Sequence, residues 1–70
     1  MNRPIADVLR IVAAGGGVVL DGTMPTTDLV RVVSQAGSEA HIVIRNTATK
    51  STDDLVQIAE RARGRVVFEP

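Results

Sequence analysis

His41 is the one imidazole in this chain, and there is no cysteine to stand beside it as a nucleophile or thiolate ligand. A catalytic histidine needs a nucleophile or an orienting carboxylate within reach, and a zinc site needs several nitrogen or sulfur ligands. The expected strand neighbours of His41 are Gly17 and Arg65, and Asp21 and Glu69 fall in the opposite flanking row, so neither set assembles around it. Asp53-Asp54 are adjacent carboxylates, but neighbours i and i+1 on a helix do not face each other, so they read as a helix start rather than a hydrolytic dyad. Gly15-Gly16-Gly17 precede an aliphatic triplet. Phosphate-cradling glycines follow a strand and open a helix, so these three read as a helix stop and a tight turn. We therefore expect no enzyme, no cofactor and no metal ion.

The remaining chemistry lies after the aliphatic triplets. Asp21, Thr23, Asn46 and Thr47 follow Val18-Val19-Leu20 and Ile42-Val43-Ile44 and precede candidate helices. Open α/β sheets bind ligands on that side. Hydroxyls there, with Lys50, could hold a small anion or ligand. Asp, Asn and Thr also shape turns and cap helices without any ligand.

These residues sit in a repeat. Ala6-Asp7-Val8-Leu9-Arg10-Ile11-Val12, Thr27-Asp28-Leu29-Val30-Arg31-Val32-Val33 and Asp53-Asp54-Leu55-Val56-Gln57-Ile58-Ala59 align without gaps. Each carries an acid followed by apolar residues at helical spacing. Pro4, Thr26 or Thr27, and Ser51 or Thr52 supply start signals; Gly15, Gly37 and Gly64 supply stops. The triplets Val18-Val19-Leu20, Ile42-Val43-Ile44 and Val66-Val67-Phe68 begin 24 residues apart both times. They are short and mostly β-branched, which predicts strands. The fold class is α/β. Three tandem units, about 2–23, 24–47 and 48–70, give the order αβαβαβ and a parallel sheet in a single domain. Strand order 1-2-3 places the helices on one face in a short solenoid-like arc. The alternative is a doubly wound order, 2-1-3, with helices on both faces. The period resembles that of leucine-rich repeats in architecture alone. Ile42, Ile44 and Asn46 approach that signature once, with different spacing, and Val18, Leu20 and Gly22 lack the asparagine; no functional residues carry over.

Side chains alternate along a strand. One face then holds Val18, Ile42, Val66 and Leu20, Ile44, Phe68, all apolar, and is assigned to the helices. The other holds Val19, Val43 and Val67 as a central row. Gly17, His41 and Arg65 flank it on one side, and Asp21, Arg45 and Glu69 on the other. The acid-base-acid order favours cross-strand pairing. Parallel sheets are normally covered on both faces, and so small a core is marginal alone. The expectation is a homo-oligomer, or a module with a protein partner, built on this face and on the open strand edges.

Composition narrows the partners. Eight basic and eight acidic residues cancel, and Phe68 is the one aromatic. That offers nucleic acid neither a basic footprint nor a stacking platform. The apolar runs are too short to span a membrane. Met1-Asn2-Arg3-Pro4 opens no secretory apolar region, so the expected location is cytoplasmic.

Overall fold

The computed structural model describes residues 3–70. The elements alternate as α1 (Ile5–Ala13), β1 (Val18–Asp21), α2 (Thr26–Gln35), β2 (His41–Arg45), α3 (Thr52–Arg61) and β3 (Arg65–Phe68). Each sequence unit holds one helix and one strand.

Proline starts the first two helices, one position earlier than a first-turn role. Pro4 and Pro25 are the N-caps, in extended backbone with φ of −56° and −54°. The Pro4 carbonyl accepts from Asp7 N–H at 3.0 Å and Val8 N–H at 3.2 Å; Pro25 does the same for Asp28 and Leu29. The ring presets φ near the required value and leaves no N–H to orphan. Thr26, Thr27 and Thr52 therefore fall inside the helices rather than at their caps. The third helix uses the expected Ser51, whose Oγ accepts from Asp54 N–H at 3.1 Å.

The first helix ends in a two-bond closure. Gly15 takes φ +91°. Its N–H donates to Val12 O, and Gly16 N–H donates to Ile11 O, each at 3.0 Å. This is the Schellman arrangement, in which a left-handed residue turns the chain so that orphan carbonyls gain partners. Gly64 has a different reason: a Cβ there would sit 2.5 Å from the Ala40 carbonyl oxygen, so the backbones approach too closely for a side chain.

The three strands form one parallel sheet in the order β1-β2-β3. The doubly wound 2-1-3 order is not adopted. Register follows the sequence rows: Val18 pairs Ile42, which pairs Val66; Val19 pairs Val43, which pairs Val67; Leu20 pairs Ile44, which pairs Phe68. Equal strand spacing and one helix per crossover bring like positions side by side.

The core lies on one side of this sheet. Val8, Leu9 and Val12 of α1, Leu29, Val32 and Val33 of α2, and Ile58 of α3 pack with Val18, Leu20, Ile42 and Ile44 in one cluster. Burial fades toward the last unit. Val18 and Leu20 are buried and Ile42 and Ile44 fully so, whereas Val66 and Phe68 are half-buried. In α3 the single buried side chain is Ile58. No helix among the described residues is long and apolar enough to cross a membrane.

Candidate functional site

Alternation along the strands turns one set of side chains away from the core. Val19 is 49% exposed and Val67 39%, with half-buried Val43 between them. These three valines form an aliphatic strip across the sheet, and no element of the described chain lies over it. On one flank His41 pairs in register with Arg65, and Gly17 lies against the His41 backbone. On the other flank Asp21 pairs with Arg45, and Arg45 Nε meets Glu69 Oε1 at 3.2 Å. The interface residues named from sequence, Val19, Val43, Val67, His41, Arg45, Arg65, Asp21 and Glu69, thus share one face.

The outer row is not paired throughout. Arg45 turns to Glu69, and both are well exposed, so their pair contributes about 0–1 kcal/mol. Asp21 turns to its own loop. Its Oδ1 accepts from Thr23 N–H at 2.9 Å and from Thr23 Oγ–H at 2.8 Å. The Thr23 backbone bond, then the Thr23 hydroxyl, hold the Asp21 carboxyl below its ordinary pKa, with a further contribution from the Asn46 side chain.

The four residues considered for a ligand do not form a free binding set. Asn46 takes a left-handed backbone, φ 57°, as a turn residue does. Thr47 is buried, and its hydroxyl donates to Glu69 O at 2.7 Å. Thr23 is spent on Asp21. What the loop presents is a carboxylate stabilised in its charged form, the wrong sign for an anion.

One feature escaped sequence reasoning. A cleft of about 170 Å³ opens beside the end of β1, with apolar lining from Ile5, Val8, Leu20, Met24 and Val32 and polar lining from Arg3, Asp21 and Asp28. It is smaller than the ~300–1,000 Å³ of ordinary ligand pockets. Met24, in the loop before α2, is half-buried against the core. The signal was its place two residues before the α2 start, where a loop side chain can fold back under the helix. Among the described residues no group of three His, Asp or Glu side chains could hold a metal ion.

No family model, curated protein or solved structure matches the chain. Function must be argued from the face itself.

Proposed function

We propose that this domain is a non-enzymatic assembly module that associates with copies of itself, in the cytoplasm, through the open sheet face and the strand edges. The observation that carries this reading is the uncovered strip of Val19, Val43 and Val67 on a parallel sheet whose other face packs against the helices. Such sheets are covered on both sides in most folds. A second copy supplies a cover of matching shape, because an isologous contact needs one patch only.

Size argues for the edges as well. Three strands of 4 or 5 residues, spaced about 4.8 Å apart with a rise of about 3.3 Å, cover roughly 14 by 16 Å. A standard interface takes about 800 Å² from each partner. The strip alone falls well short, so pairing at a strand edge would have to add to it. The ligand-binding alternative is weaker, since Thr47 is committed to Glu69 and Asp21 stays negative.

Light-scattering mass across a dilution series tests the reading. Association is expected in the micromolar range, and Val43→Lys should weaken it while far-UV circular dichroism keeps its helical signal. A folded monomer up to several hundred micromolar would overturn the proposal.

A further inference from the structure

Which edge pairs, and in what register, can be read from the backbone of β3. Arg65 N–H donates to Ala40 O and Glu69 N–H to Ile44 O, and Glu69 O accepts from Thr47 N–H. In a ladder the backbone groups of successive residues point to opposite sides. Arg65, Val67 and Glu69 therefore turn their N–H and C=O groups toward β2. Val66 and Phe68 turn theirs outward, along the free edge of the sheet. Their side chains are the half-buried members of rows that are buried in the other two strands. Among the described residues this edge thus lacks partners both for its backbone and for part of its apolar surface.

Resting on the self-assembly reading above, we infer that β3 pairs antiparallel with β3 of a second copy, centred on Val67, extending the sheet of each copy into the other. Centring on Val67 sets Val66 against the second copy's Phe68, and Phe68 against its Val66. Both residues have outward backbone groups, so each such pair exchanges two N–H to C=O bonds. It also sets Arg65 against the second copy's Glu69, and Glu69 against its Arg65, on the exposed face. These are non-hydrogen-bonded pairs, the kind in which side chains approach most closely. Backbone phase, apolar pairing and charge agree at this one register. Centring on Val66 would set Arg65 against Val67; centring on Phe68 would bring in Pro70, which has no N–H to donate.

The other edge does not offer this. Along β1 the outward residues are Val19 and Asp21, because Gly22 N–H already turns to Arg45 O, and the Asp21 carbonyl is itself taken by Met24 N–H at 3.1 Å. Antiparallel self-pairing there sets Asp21 against Gly17, Val19 or another Asp21 as the centre moves from Val19 to Leu20 to Asp21, never against an opposite charge. Head-to-tail stacking of β1 on β3 in the register of the repeat sets Asp21 beside Glu69. Like charges opposite each other are destabilising. The acid at both ends of the Asp21, Arg45, Glu69 row thus disfavours open fibres, while the antiparallel β3 contact closes after two copies.

Arg65→Glu and Glu69→Lys test the register. Each places like charges in both symmetry-related pairs, and each should weaken the dimer about tenfold or more, with the fold checked by circular dichroism. Mixed one to one, the two variants restore opposite charges at both positions, and dimer mass should return. If each is monomeric and the mixture stays monomeric, the Arg65 to Glu69 pairing is overturned. If the unaltered chain associates and both variants associate as tightly, the β3 edge is overturned while self-assembly stands. An unaltered chain that is monomeric up to several hundred micromolar removes the assembly reading itself, and this contact with it.

Discussion

Thr47 holds the end of the last strand through Glu69: its N–H and its hydroxyl both donate to the Glu69 carbonyl oxygen, at 3.1 and 2.7 Å. The pair joins the loop after β2 to the residue after β3, 22 positions apart. With Glu69 N–H on Ile44 O, it fixes the Glu69 backbone against β2, and the Glu69 carboxylate meets Arg45 of that strand. Thr47→Val keeps the shape and the N–H but loses the hydroxyl. The expected cost is about 1 kcal/mol, read from urea unfolding by circular dichroism. An unchanged midpoint would mean that the hydroxyl contributes nothing.

Ile58 is the single buried side chain of α3, and it is fully buried. Truncation to alanine removes the one fully buried side chain that this helix adds to the core. Ile58→Ala should cost about 2–5 kcal/mol. A domain of this size has about 3–10 kcal/mol in total, so unfolded chain should be measurable at room temperature. Val56→Ala on the same helix, where the side chain is 48% exposed, should shift stability by no more than about 0.5 kcal/mol. Equal effects at the two positions would contradict the packing described here.

The Asp21 carboxyl is held below its ordinary pKa, first by Thr23 N–H and then by the Thr23 hydroxyl. A depressed carboxyl favours the folded state when it is charged. Its contribution is present above the ordinary aspartate range and is lost as pH falls through the folded value. Asp21→Asn should be less stable than the parent near neutral pH, and the two should converge in acid. Thermal unfolding followed from neutral to strongly acidic pH checks this. A gap that stays constant at every pH would assign the effect to geometry rather than charge.

The rows of the sheet were legible before any coordinates. Strand triplets at equal intervals, with a helix between them, force like positions into register, and a period of two then sorts Val18, Ile42 and Leu20 from Val19, Val43 and Val67. Helix stops were legible in part: Gly15 ends α1 in the left-handed conformation, whereas α2 and α3 end at Ala36 and Ala62 in extended backbone, ahead of Gly37 and Gly64. Helix starts were less so. Pro4, Pro25 and the neighbouring threonines are all acceptable start residues, and only the position of the first carbonyl in the spiral chooses among them.

What the chain alone determined is the repeat: which residues form helices and strands, their order, and which side chains share a face. These are consequences of spacing and local preference. Tertiary structure decided how equivalent positions diverge. Thr23 and Thr47 both follow a strand, yet one binds its own loop and the other reaches Glu69. Val18 is buried and Val66 half-buried, though the two occupy the same place in the repeat. The physical reason is position in the stack. β1 and β3 are both edge strands, but α1 and α2 each bring three buried side chains to the core and α3 only Ile58, so identical local chemistry meets different surroundings, and no local pattern records which neighbour is missing.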